Sequence, residues 1–493
     1  MSDFLAGLGV LVAACGAAGA ILLPAGRLRS LAMLTALVLF PVLILGDQWH
    51  SHQIADLRHS TGHLVALGLV GLAVTAALTY VFRRWPVLLP LAIVAALPFR
   101  VPLHAGGDTA NLLVPLYLVI AGGVLAAAIR EWRGGSPAVT GSAGPSAWLP
   151  RVLAAVVLLY AVQALYSEDF SKGLQNVCFF FVPFSLVYGL LREVKWDRRL
   201  LKLILWVVGI EAVCFVLVGS VEFATKSLFW NDQVIRSNEF HTYFRVNSVF
   251  WDPNIYGRYL ALVAVVAMSA LLWARERKTL ALLTTLIAVL WIGLVPTFSQ
   301  SSFAALLAGL VVLAALRWSF KWTAIAAVGG VVLTMLIVTL AGSFSFDRIN
   351  IDTSGRANLV SGGVHLFTQR PIYGYGSGSF PKAYRQHVKT RKAPVSVSHT
   401  EPITVAAEQG LVGLAAYLAL IVTALWTMGA GLLARPSAAR AAVLATFVAL
   451  LVHTMAYAGF FEDPITWVLL AAGASLAAAN QRSLAACRDT SAA

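Results

Sequence analysis

The sequence predicts an all-α fold: a polytopic bundle of about 12–15 transmembrane helices with a large extracytoplasmic loop carrying short helices. Three observations predict it. The chain has 493 residues, of which 59% are hydrophobic and only 12% charged, and its mean hydropathy is +0.80. A soluble domain carries roughly 25% charged residues to solvate its surface, so this composition excludes a soluble globular enzyme. The apolar residues also gather into runs of about 20, the length that crosses hydrocarbon as a helix. Finally, the polar breaks between runs alternate between strongly basic and nearly uncharged. The net charge of +14 comes largely from those basic loops and is no sign of nucleic acid.

Taken in order, the candidate spans lie near 3–23, 29–46, 62–82, 86–104, 110–129, 148–166, 173–191, 200–221, 254–273, 279–296, 299–316, 322–341, 404–432, 440–460 and 463–480. The first holds Asp3 and no preceding basic residue, which reads as a spanning helix rather than a signal peptide. The fourth contains Pro86, Pro90 and Pro98, and each proline removes an amide donor. Pro296 separates 279–296 from 299–316. The Gly/Ser/Pro stretch at 134–146 reads as a flexible linker. No internal repeat is visible, which argues against transporters built from repeated halves. Cys15, Cys178 and Cys214 sit in apolar runs and Cys487 in the polar tail, a spacing that fits neither a disulfide framework nor zinc.

Orientation follows from the short loops. One alternate set holds Arg27 and Arg29; Arg83 and Arg84; Arg130, Arg133 and Arg151; and Arg192, Lys195, Arg198, Arg199 and Lys202. It continues with Arg275, Arg277 and Lys278; Arg317 and Lys321; Arg435 and Arg440; and Arg482 and Arg488. The intervening short loops hold only Arg58, Arg100 and Lys172. The positive-inside rule places the first set in the cytoplasm, with the N-terminus outside and the C-terminus inside. Trp132, Trp196 and Trp318 read as interfacial anchors. Glu211 and His453 lie in apolar runs, where an ionisable group is either functional or held by hydrogen bonds.

The same alternation puts two long loops outside, near 222–253 and 342–403. The second is anomalous. Between Ala341 and Thr400 it carries Arg348, Arg356, Arg370, Lys382, Arg385, Lys389, Arg391 and Lys392 against Asp347 and Asp352. A basic segment on that side calls for an anionic partner. Residues 1–200 read as N-terminal transmembrane helices, and 201–493 as a second transmembrane region that includes both loops.

Short polar signals stand out in that region. One is Arg245-Val246-Asn247-Ser248-Val249-Phe250-Trp251-Asp252-Pro253-Asn254 at the start of a helix. Here Asp252 and Asn254 are either helix caps or substrate contacts. The next is Phe298-Ser299-Gln300-Ser301-Ser302. Ser354-Gly355-Arg356 follows, then Arg370-Pro371 and the run Gly374-Tyr375-Gly376-Ser377-Gly378. That glycine run is either a tight turn or a cradle of amides for an anion. His399-Thr400-Glu401 comes just before a helix carrying Glu408-Gln409-Gly410-Leu411-Val412-Gly413, and Phe461-Glu462-Asp463-Pro464 precedes the last helix.

The order and spacing of these pieces resemble the O-antigen ligase and O-antigen polymerase superfamily over roughly 230–480. There are two departures. Thr400 stands where the family histidine is often followed by asparagine, and Gln300 where an arginine often follows the helix-start serine. The resemblance implies a membrane glycosyltransferase that moves a glycan from a polyprenyl diphosphate carrier to an acceptor hydroxyl. The acceptor is a glycan, a glycolipid or a protein. It implies a bacterial cytoplasmic membrane protein with its site facing outside, acting in surface polysaccharide biosynthesis. Arg245 and Arg356 are the expected diphosphate ligands, since the guanidinium fork pairs bidentately with phosphate. His399 is the expected base. Arg370, Asn254, Asp252, Gln300, Glu401 and Arg385 are candidate substrate contacts. No cofactor and no metal are expected, and nucleic acid is not a partner; the bilayer is. Lys389, Arg391 and Lys392 read as electrostatic attraction for an anionic lipid, and His241, His365 and His387 as solvated side chains. The alternative from another class is a transporter or flippase, which calls for ionisable groups and broken helices at mid-membrane.

Overall fold

The computed structural model describes residues 3–49, 61–105, 108–134, 147–240, 243–319, 321–325, 329, 356–388 and 397–491. The chain opens with α1 (Asp3–Leu22), α2 (Arg27–Gln48), α3 (Thr61–Arg84) and α4 (Leu88–Ala96). A hairpin of β1 (Val101–Ala105) and β2 (Asp108–Leu112) follows, then α5 (Val114–Trp132), α6 (Trp148–Ala164) and α7 (Phe170–Asn176). A π-helical turn over Val177–Phe181 leads into α8 (Val182–Leu191), then α9 (Arg198–Thr225) and α10 (Asp232–Phe240). The C-terminal half contains α11 (Pro253–Trp273), α12 (Arg277–Leu294), α13 (Gln300–Arg317), α14 (Arg356–Gln369) and α15 (Phe380–His387). It ends with α16 (Glu401–Gly429), α17 (Ala438–Thr454) and α18 (Pro464–Ser491).

Among the described residues, 10 helical stretches are long and apolar enough to cross a membrane, and α6 and α17 are shorter apolar helices. The polytopic helical bundle is therefore what the sequence predicts. One expected span is different. Near 86–104 only Leu88–Ala96 is helical, 9 residues long, and the chain then pairs Val101 with Leu112 in the antiparallel hairpin. A helix of that length covers about 13 Å at its 1.5 Å rise per residue, less than half of the roughly 30 Å of hydrocarbon. Leu97 keeps helical geometry, but Pro98 has no amide with which to continue the ladder, and the helix stops there. The expected span at 322–341 lies almost wholly outside the described residues.

One hydrophobic cluster runs through both halves of the chain, from Ala6 to Ala474. Within it α1 packs on α2, α6 and α8, α6 on α16, α18 on α8, and α11 on α12, α13 and α17. The connections sort to two ends. At one end Glu131 accepts from the Gly26 amide at 3.0 Å and Ser30 Oγ at 2.8 Å, and pairs with the buried Arg29, which also bonds Glu193 at 3.1 Å. Ser475 Oγ reaches the Val194 carbonyl at 2.9 Å, and Ser269 Oγ the Ala438 carbonyl at 2.9 Å. The loops that charge alternation groups together thus touch one another. Arg27 lies 5.9 Å from the Trp132 ring centre, Arg84 5.6 Å from Trp85 and Arg151 5.3 Å from Trp148. Such arginine–tryptophan pairs suit a headgroup interface. This is the basic end; the polar signals of the C-terminal half gather at the other.

Candidate functional site

Two helix starts build the floor of the site. Pro253 at the first position of α11 suits an N-terminus that lacks an amide partner, and Asp252 caps it by accepting from the Asn254 amide at 2.6 Å. Ser299 caps α13 and accepts from the Ser302 amide at 3.4 Å. The two starts meet where Ser299 Oγ donates to Asn254 Oδ1 at 2.9 Å. Arg245 is laid across both: Nε donates to the Thr297 carbonyl at 2.9 Å and Nη2 to Asn254 Oδ1 at 3.2 Å. From Ser299 the network runs on to Ser301 Oγ at 3.2 Å and from there to His453 Nε2 at 3.2 Å. Asp252 is therefore the cap, and Asn254, whose amide it takes, orients the arginine.

The loop bearing Arg245 is fixed by its backbone. Asn238 bonds the Arg245 amide at 3.0 Å and its carbonyl at 2.9 Å. Glu222, buried near the end of α9, accepts from the Asn247 amide at 3.2 Å and the Ser248 amide at 2.7 Å. A cleft of about 430 Å³ opens beside this loop, lined by Lys226, Asn238, Glu239 and Phe244 among others.

Arg356 and His399 join from the second long loop. Arg356 opens α14 and donates to the Ala456 carbonyl at 3.4 Å. His399 sits two residues before α16 with φ of +63°, a left-handed conformation that a side chain adopts only under strain. Its ring is 6.3 Å from that of Tyr457, which is in turn 5.8 Å from His453. The loop carrying Tyr457 is tied to the start of α16. Thr400 Oγ1 donates to the Met455 carbonyl at 3.1 Å, and Glu401 accepts from the Gly459 and Phe460 amides at 2.7 and 3.1 Å.

Electrostatics shows these groups sharing one field. Burial pushes the Arg245 pKa down, Arg356 pushes the same way, and Asp252 opposes them. Burial also pushes the His399 pKa below its usual 6.5, again with Arg356 acting in the same sense and Asp252 against. His399 is thereby kept neutral near pH 7, with a lone pair free to take a proton. Arg245, Arg356 and His399 are all half-buried. Among the described residues neither guanidinium forms a salt bridge with an acid. Arg258, one turn below Asn254, does pair, with Asp463 at 2.7 Å. Chemically the arrangement offers two cations for an anion and a neutral base beside them. No three His, Cys, Asp or Glu side chains among the described residues stand together as a metal site.

Other sequence candidates lie elsewhere. Arg370 is exposed, pairs with Glu168 at 3.1 Å and covers the Tyr375 ring at 4.3 Å. Arg385 and Gln300 are exposed on α15 and at the first position of α13. Glu401 accepts from the Gly459 and Phe460 amides and lines a small pocket with Glu408 and Glu462. His387 bonds Glu168 at 3.3 Å, and His365 bonds Gln369 at 3.0 Å. Lys389, Arg391, Lys392, Arg348 and His241 lie outside the described residues. The glycine run is a turn that cradles an anion belonging to the protein itself: the Gly378 and Phe380 amides donate to Glu408 at 2.8 and 3.0 Å. It closes against a break in α16 at Gly410, where φ is +64° and a Cβ would lie 2.4 Å from the Ile372 carbonyl carbon. Only glycine fits there. Of the intramembrane groups, Glu211 is held by Tyr259 at 2.8 Å, while His453 belongs to the network beneath Arg245. Sequence reasoning missed Glu222, Asn238 and Tyr457. The one available signal was an acid at the end of an apolar run, which marks Glu222.

Comparison with known proteins adds one finding. Residues 285–418 match the family model described as O-antigen ligase. The matched stretch takes in Arg356 and His399 and leaves Arg245 and His453 outside. No curated protein matches the chain.

Proposed function

We propose, from the match of residues 285–418 to the O-antigen ligase family model, that the chain is a member of that superfamily and transfers a glycan from a polyprenyl diphosphate carrier to an acceptor hydroxyl. The observation that carries this reading is a pair of half-buried arginines, Arg245 and Arg356, that form no salt bridge among the described residues and share a field with His399. A desolvated guanidinium is costly unless an anion joins it, and a diphosphate supplies one with the right geometry. The acceptor oxygen bonds the anomeric carbon as the bond from that carbon to the diphosphate oxygen breaks. The electron pair leaves with the diphosphate, where Arg245 and Arg356 stabilise it. The acceptor proton goes to His399. The arginines then neutralise the leaving group without a divalent metal. Ser299, Ser301 and His453 hold Asn254, which orients Arg245.

The basic end faces the cytoplasm in this reading, so the site opens on the outer face of a bacterial cytoplasmic membrane. The acceptor is a glycolipid, a protein or a second lipid-linked repeat. Analysis of envelope glycans after deletion tests the reading and sorts the acceptors. Loss of long chains identifies a polymerase, and lipid-linked polymer without an attached form identifies a ligase. An unchanged glycan profile would sink the proposal and favour a transporter.

A further inference from the structure

A cavity lies at the basic end, opposite the cluster around Arg245. It has a volume of about 570 Å³ and is bounded by α3, α4, α5 and α8 and the start of α9. The start of α4 forms one wall, with Pro86 just before the helix and Pro90 in its first turn. The facing surfaces of α5 and α8 offer small residues there, Gly123, Ala126, Ala127 and Gly189. At Gly123 the walls close: a Cβ would come within 2.8 Å of Leu89 and 2.9 Å of Leu190. The opposite part of the lining is charged. Arg83, Arg130, Arg133 and Lys195 are exposed there, with Asp197 and Glu193 as the only acids in the lining. Glu193 is already bonded to the buried Arg29.

A second observation sets the depth of this mouth. Trp132 lies between Arg130 and Arg133 in sequence and stacks under Arg27, and Trp85 follows Arg83 and stacks under Arg84. Tryptophan rings under cations settle at the headgroup level. The cavity therefore has a cationic mouth in the headgroup zone and an apolar interior of Phe82, Leu89, Pro90 and Leu190 at hydrocarbon depth. We propose that it binds the headgroup of an anionic phospholipid: phosphate on Arg83, Arg130, Arg133 and Lys195, and an acyl chain against the apolar wall. A free phosphate or polyphosphate shares the head chemistry but has nothing for the wall. The site is separate from the transfer reaction and stands whether or not that reading holds.

Native mass spectrometry of the purified full-length protein tests it, with added phosphatidylglycerol, phosphatidylcholine or inorganic phosphate. The protein should retain phosphatidylglycerol in preference to phosphatidylcholine. The variant R83A/R130A/R133A/K195A, altered only at exposed positions, should bind phosphatidylglycerol at least about ten-fold more weakly. Ala126→Phe, which fills the cavity and keeps every cation, should weaken it as well. Equal retention of both lipids, undiminished binding in the quadruple variant, undiminished binding in a folded Ala126→Phe protein, or displacement by inorganic phosphate would each overturn the proposal.

Discussion

The two ends of the molecule use their carboxylates in opposite ways. At the basic end a buried acid meets a buried base: Glu131 and Glu193 close on Arg29, Arg440 and Arg192 rest on backbone carbonyls, and most other cations lie exposed. At the other end three buried glutamates ignore the arginines and hold backbone. Glu222 takes the Asn247 and Ser248 amides, Glu401 those of Gly459 and Phe460, and Glu408 those of Gly378 and Phe380. Each fixes a loop by its main chain. The result is fixed loops and two half-buried guanidiniums, Arg245 and Arg356, that form no salt bridge among the described residues. The first arrangement is complete in itself, and the second is completed by an anion from outside.

Substitutions can break or sharpen that contrast. The largest effect on transfer should come from His399→Ala, a loss of about 10²–10⁴-fold in rate, read as glycan transfer by purified, folded protein. A rate near that of the native protein would remove the base from the mechanism. Arg29→Ala strikes the other end. It leaves Glu131 buried without its cation, and thermal unfolding in detergent should report a loss of about 3–5 kcal/mol. The folded fraction should keep its transfer rate. Arg356→Ala should do the reverse, costing about 10²–10³-fold in transfer with little change in melting temperature. Arg356→Lys should recover only part, because a point charge lacks the bidentate fork.

Glu408→Gln should be milder. The amide group can accept from only one of the Gly378 and Phe380 amides, so about 1–3 kcal/mol of stability is lost, measured by the same unfolding curve. The smallest effect is in pH dependence. A base must be neutral, so kcat/KM should fall as pH drops through the pKa of His399, which lies below 6.5. Removing the like charge in Arg356→Ala should raise that pKa and move the acid limb to higher pH. An acid limb that does not move would show that the two groups do not share a field.

Much of this was legible in the sequence. The apolar runs gave the helices, because a buried helical span must be apolar along its length. Arg245, Arg356 and His399 were singled out through short signals beside helix starts, where capping residues and prolines are local, and the structure sets them in one field. The region near 86–104 was misread because hydropathy reports apolar content and not whether proline lets the helix continue. Glu401 was read as a substrate contact, yet it faces the Gly459 and Phe460 amides, 58 and 59 residues away. The partners of a carboxylate at such separations leave no trace in local pattern. The same holds for Arg370, whose partner Glu168 comes from the N-terminal half.

The sequence by itself determined most of the long apolar helices, which loops share an end, and where cations gather against expectation. All three are sums over neighbouring residues, governed by the transfer of apolar and charged groups between water and hydrocarbon. The tertiary structure alone decided which cations are neutralised. It assigned Asp463 to Arg258, Glu168 to Arg370, and the glutamates of the site end to backbone amides. That choice depends on distances of a few ångströms between residues far apart in the chain, where the field of a charge is decided by its nearest partner.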